Sequence, residues 1–220
     1  MKKMLLLPLL ILLPVLLAQA QYTRFGAKVG GNLSSVQGSD GSSNTTNNLA
    51  GFNGGLILSY EFVSRLAVQG ELQYEQRGFV YDEYPISADE VLADDHRLHY
   101  LMLPVMLKLQ KGGLFVEGGP YLGYLLAEAT EVKRLDRNTI DDPNPTELGN
   151  YPLHIKDFER WDYGYTVGIG IEMDNGFFLS VHNTGGLTSF SKSLDQKNFA
   201  YKLSIGYLLR PPSTDEMMFR

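Results

Sequence analysis

The chain has 220 residues, which suits one domain or one barrel. It has no cysteine, which excludes a disulfide framework, a thiolate metal centre and a cysteine nucleophile. A formal net charge of -6 excludes a basic nucleic-acid binder by composition.

The N-terminus carries the most specific local signal. Lys2 and Lys3 precede an apolar run from Met4 to Leu17, broken only by Pro8 and Pro14. Ala18-Gln19-Ala20 then places small residues where signal peptidase reads them. This pattern predicts cleavage before Gln21. It divides the chain into a signal peptide (1–20), a barrel (21–210) and a short polar tail (211–220). No cysteine follows the cut, so the pattern is not that of a lipoprotein. Losing the two lysines takes the net charge from -6 to -8. No later stretch is apolar and long enough for a membrane-spanning helix, so a membrane protein of this sequence is a β-barrel.

The first strand is expected at Arg24 to Ser34. Phe25, Ala27, Val29 and Leu33 alternate there with Arg24, Lys28 and Asn32. A period of two marks a strand, because successive side chains leave opposite faces of the pleat. Ser35 to Leu49 reads as a polar loop. The second strand, Ala50 to Phe62, sets Phe52, Leu56, Leu58 and Tyr60 against Asn53, Ser59 and Glu61. Only Val63-Ser64-Arg65 separates it from the third, Leu66 to Arg77, whose polar face is Gln69, Glu71, Gln73 and Glu75. Gly78 to His96 reads as acidic and irregular.

The fourth strand is His99 to Leu109. Pro104 within it predicts a local break in pairing, because proline cannot donate to the ladder. After a turn at Gln110 to Gly113, the fifth strand runs from Leu114 to Leu126. Ala127 to Arg160 is the longest interruption. From Trp161 the alternation is clearest. Trp161, Tyr163, Tyr165, Val167, Ile169, Ile171 and Met173 share one face as far as Asp174-Asn175-Gly176, a tight-turn sequence. Phe177, Leu179 and Val181 then oppose Ser180, His182 and Thr184. After a polar loop from Thr188 to Lys197, Asn198 to Leu209 forms the eighth strand.

The fold expected is all-β: an eight-stranded antiparallel up-and-down transmembrane β-barrel. Its connections alternate long and short, as in outer-membrane barrels with long extracellular loops and short periplasmic turns. A soluble lipocalin-like barrel also has eight strands, but turns its apolar face inward. The distribution of side chains favours the membrane form. Aromatic residues gather at both ends of the apolar face. Phe25, Tyr60, Phe62, Phe177 and Tyr207 lie toward the short turns. Phe52, Tyr74, Tyr124, Trp161, Tyr163, Phe199 and Tyr201 lie toward the loops. The polar face holds charges of both signs: Arg24, Lys28, Glu61, Glu71, Glu75, Lys108, Glu117, Glu172 and Lys202. Eight strands leave an interior that side chains fill. These residues are therefore expected to form a structural charge network in a filled polar lumen. Small residues on that face, Gly164 and Gly168 among them, suit its crowding.

Several stretches resemble the PorT-like outer-membrane β-barrel proteins of the Bacteroidota. They are FGAKVGGNLSSV at Phe25–Val36, LAVQGELQYEQRG at Leu66–Gly78 and LMLPVMLKLQKGGLFVEGGPYLGYLL at Leu101–Leu126. DYGYTVGIGIEMDNGFFLSVHNTGGLT at Asp162–Thr188 and YKLSIGYLL at Tyr201–Leu209 complete them. The resemblance implies an outer-membrane barrel of a Gram-negative bacterium, and the signal-peptide pattern implies delivery by Sec-type export. Through the family's namesake it implies a link to protein secretion. Members commonly end on the last strand with a terminal aromatic. Here Arg210 to Arg220 follows that strand, and either Tyr207 or Phe219 serves as the assembly signal.

No catalytic constellation emerges, and no cofactor or metal is expected. His182 stands beside Ser180 and Thr184 on the polar face, where a hydrogen-bonded lumen histidine is expected rather than the base of a nucleophilic pair. His96 and His99 border an acidic stretch read as solvated loop. Asp141, Asp142 and Glu147 lack calcium-loop spacing and read as surface charge. The function expected is a structural or interaction role in the cell envelope. Its partners are outer-membrane lipid and envelope or secretion-system proteins. The alternatives are a small-ligand binding or transport barrel, or a soluble lipocalin-like periplasmic binding protein.

Overall fold

A computed structural model describes residues 22–38, 46–63, 65–130, 132–140, 142, 144–150, 158–192 and 196–209. The expected signal peptide and the polar tail lie outside them, Phe219 included.

Among these residues ten strands form in chain order: β1 (Tyr22–Gly38), β2 (Thr46–Val63), β3 (Leu66–Pro85), β4 (Glu90–Lys111), β5 (Leu114–Thr130), β6 (Lys133–Asp136), β7 (Glu147–Asn150), β8 (Trp161–Glu172), β9 (Phe177–Gly186) and β10 (Gln196–Leu208). Eight of them close a ring. Each strand from β1 to β5 pairs with the next, β5 pairs with β8, β8 with β9 and β9 with β10, and β10 returns to β1. Every pairing is antiparallel, and closure removes the sheet edges.

The alternation read from the sequence is the alternation of the wall. On β8 every residue of the apolar series from Trp161 to Ile171 is exposed on the outside, as is Met173 just past its end, while Asp162, Gly164, Thr166 and Glu172 are buried. Val29, Leu56, Leu107, Ile169 and Leu203 likewise face outward. A soluble barrel would bury this face. The soluble lipocalin-like alternative is therefore corrected: the polar residues point in and the aliphatic band points out. Aromatic pairs stand at the band's edges, with Phe177–Tyr207 centroids 5.0 Å apart at the short-turn end and Tyr124–Trp161 4.9 Å apart at the loop end.

Three connections differ from expectation. Gly78 to His96 is not irregular. It is a hairpin whose ladder continues from Arg77↔Leu98 to Pro85↔Val91. Beyond the lipid band no apolar outer face is required, so acidic residues are compatible with a strand, and Phe79, Leu92 and Leu98 bury its inner side. Ser35 to Leu49 contributes further strand: β1 runs to Gly38, and β2 begins at Thr46 opposite Tyr81. Within Ala127 to Arg160, β5 extends to Thr130, and β6 and β7 add to the upper end of β4 to make a small sheet beyond the band.

Two turns follow from their sequences. At Asp174-Asn175-Gly176 the N–H of Met173 donates to the carbonyl of Phe177 at 2.8 Å, and Gly176 takes a φ of 92° that favours glycine. Around Pro104, which is buried on the lumen side, the β3–β4 pairing lapses between Gly70↔Val105 and Gln73↔Met102 and resumes without a change of register.

Candidate functional site: the lumen

The lumen is built from alternate residues of all eight barrel strands, because each strand sends every second side chain inward. The nine charges expected there fall into tiers, together with Arg77 and Asp162.

At the short-turn end, Arg24 of β1 reaches Glu172 of β8 at 2.5 Å and Glu61 of β2 at 3.3 Å. The other oxygen of Glu172 accepts from Lys108 of β4 at 2.8 Å. The Lys108 ammonium also lies 4.1 Å from the centre of the Phe115 ring, a cation–π placement. Phe115, Phe178, Ile57 and Leu208 pack together as an apolar layer.

In the middle, Lys28 of β1 pairs with Glu71 of β3 at 2.7 Å. Gln69 donates to Glu71 at 2.8 Å and to Glu117 of β5 at 3.1 Å, and Gln73 also donates to Glu71. His182 of β9 places Nε2 2.6 Å from Glu117. The Ser180 hydroxyl has no hydrogen-bond partner among the described residues, so it is not paired with that imidazole. Gly168 sits across the ladder from His182, and a Cβ there would overlap the imidazole ring.

Toward the loops, Glu75 of β3 accepts from Lys202 of β10 at 3.1 Å and from Arg77 at 2.8 Å. Arg77 also lies 3.5 Å from Asp162 of β8. Asp162 accepts from the Tyr121 hydroxyl at 3.1 Å and from Asn198 at 3.0 Å. Arg77 and Asp162 are the residues missing from the expected set. Their signal was parity: Arg77 continues the series Glu71, Gln73, Glu75, and Asp162 opens the polar series of β8. The carboxylates Glu61, Glu71, Glu75, Asp162 and Glu172 meet the fixed cations Arg24, Lys28, Arg77, Lys108 and Lys202, and Glu117 is held by Gln69 and His182. Such pairing offsets the cost of taking each charge from water.

Above the charges, aromatic residues close the outer end. Phe79, Leu98, Tyr100, Phe158 and Phe190 form one buried cluster, and His96 stacks on Phe158 with centroids 5.1 Å apart. Phe190 comes from the stretch Thr188 to Lys197 that reads as polar loop. His96 is buried rather than solvated, and burial pushes its imidazole down to about 4. It lies beyond the lipid band, five positions from Leu101. His99 instead stands at the outer rim, with Nδ1 2.6 Å from the Tyr74 hydroxyl. Asp142 and Glu147 are exposed, and Glu147 pairs with Lys133 at 2.7 Å. Among the described residues there is no group of three or more acidic, histidine or cysteine side chains placed to hold a metal ion.

A closed antiparallel barrel with an apolar outer belt and a charge-paired interior defines a membrane β-barrel. The family model for the outer membrane protein beta-barrel domain matches residues 17–192, most of the chain. The chain belongs to that family, and it is an outer-membrane β-barrel protein of the Gram-negative type. The match stops short of β10, the strand that closes the ring.

No curated protein sequence matches the chain. Among solved structures it is similar to Ail, the attachment invasion locus protein of Yersinia pestis, at 18% identity over 84% of this chain and 98% of that one, with a TM-score of 0.41. It is similar to Neisserial surface protein A at 9% identity over 86% of this chain and 99% of that one, with a TM-score of 0.46. It is similar to the outer membrane protein AlkL at 13% identity over 90% of this chain and 95% of that one, with a TM-score of 0.43.

Proposed function

We propose that this chain is a non-enzymatic barrel with a structural or interaction role in the cell envelope, working through its extracellular sheet rather than through a pore. The observation that carries the reading is the filled lumen: its charges are spent on one another, and an aromatic cluster covers its outer end. Supporting it, β3, β4, β6 and β7 continue beyond the lipid band as a paired sheet. Loops held by such a sheet are presented in a fixed arrangement, which suits contact with a partner.

The same proposal includes export through a signal peptide at 1–20 and a structural role for the nine expected lumen charges. It also includes membership of the PorT-like group and the link to secretion, both on the sequence resemblance. The test is affinity purification from outer membranes in mild detergent. Envelope or secretion components should co-purify in fixed ratio, and should be lost when residues 133–150 are replaced by a short Gly-Ser linker. A folded barrel that emerges alone contradicts the interaction role and favours ligand binding.

A further inference from the structure

The short-turn mouth is open where the loop end is covered. A polar cavity of about 340 Å³ lies there, lined by Arg24, Arg65, Lys108 and Lys111 against the single carboxylate of Glu61. This is a local excess of positive charge on a chain whose net charge is -6. The cations are of two kinds. Arg24 and Lys108 are buried and held by Glu172. Arg65 and Lys111 are exposed on the rim and form no ion pair among the described residues. They are neighbours, because the carbonyl of Arg65 accepts from the N–H of Gln110 at 2.9 Å.

Lys111 also ends a second cavity. On the outer wall an apolar groove of about 580 Å³ runs between Leu114, Val116, Ile169, Ile171 and Leu179, and Lys111 closes it at the same level as the mouth. One cation therefore borders both a polar pocket at the membrane boundary and an apolar channel within the lipid belt. A ligand that satisfies both has an anionic head and a hydrocarbon chain.

We propose that the short-turn mouth binds the phosphate of an anionic phospholipid from the periplasmic leaflet, with Arg65 and Lys111 as cationic partners and the groove beside Lys111 taking an acyl chain. The inference rests on the outer-membrane orientation with short turns toward the periplasm. Arginine and lysine at a membrane surface attract anionic headgroups, and the phosphate replaces water on two side chains that no carboxylate among the described residues holds.

The test uses the full-length mature barrel in nanodiscs of phosphatidylcholine alone, or of phosphatidylcholine and phosphatidylglycerol in equal parts. After mild extraction, native mass spectrometry counts retained lipids. Wild type should keep one phosphatidylglycerol, and Arg65→Gln with Lys111→Gln should lower that retention roughly tenfold. Both residues are exposed, so the variant should fold, as its circular dichroism would show. Equal retention of the two lipids, or a folded variant that keeps phosphatidylglycerol as wild type does, overturns the site. Inorganic phosphate is the second probe, titrated at constant ionic strength and read by phosphorus NMR. Rim-dependent phosphate binding without lipid retention overturns the lipid assignment. A pore found in the barrel would bear on the proposed function and leave this result unchanged.

Discussion

Arg77 and Glu75 stand two residues apart on β3, point to the same side, and meet at 2.8 Å with neither side chain exposed to solvent. Glu75 also holds Lys202 from β10, the strand that closes the ring. One carboxylate thus ties an early strand to the last one through the middle of the barrel.

Glu75→Ala should destabilise the folded barrel by about 3–5 kcal/mol, because it leaves two buried cations without their shared partner. Equilibrium urea unfolding in lipid vesicles measures this. Glu147→Ala removes one partner of the exposed pair with Lys133 and should cost about 1 kcal/mol or less. Equal effects for the two variants would contradict the role given to the lumen.

Val167 lies midway along β8 on the outer face and is 48% exposed. If that face meets lipid, Val167→Arg should cost about 2–4 kcal/mol in vesicles. A result near zero in the same assay would place the face in water.

Gly168 leaves room for the His182 ring, so Gly168→Ala should force the imidazole off Glu117 and cost about 1–3 kcal/mol. In a His182→Ala background the same change should cost much less. The double-mutant cycle reads the coupling directly, and additive effects would show that the two positions do not compete for one space.

His96 sets a pH dependence whose sign is fixed by its burial. Unfolded, the imidazole takes a proton near pH 6.5; folded, only near about 4. Between these the unfolded state binds more protons, so stability is full above pH 6.5 and falls as pH drops. From about pH 7.5 to about pH 5 the wild type should lose about 2 kcal/mol that His96→Leu does not lose. Hydrogen exchange across residues 79–98 at the two pH values measures the difference; identical losses in both proteins would remove His96 as the cause.

The legibility of the chain follows the membrane. Where a wall meets lipid, every outward residue must be apolar, and the period of two from Trp161 to Met173 is written plainly. The same parity carries the inward residues, and it places Lys28, Glu71 and Glu117 on one side without any knowledge of their partners. Which cation meets which carboxylate depends on strands far apart in sequence, as with Glu75 and Lys202, and no local pattern encodes it. Arg77 ends the lipid-length segment of its strand, although the strand and its parity continue. Beyond the band neither face must be apolar, so the alternation lapses. The hairpin through Phe79 and Leu98 then looks like acidic loop. Phe190 shows the same limit: one aromatic among polar residues reads as loop until Phe79 and Phe158 arrive beside it.

Planar-bilayer recording on the purified, folded barrel tests the filled lumen most directly. Side chains pair across the bore, as Lys28 does with Glu71 and Lys202 with Glu75, and occupy the space a pore would need. The filled lumen predicts a current no different from that of a protein-free bilayer across the applied voltages. A reproducible unitary conductance from the folded monomer would contradict it.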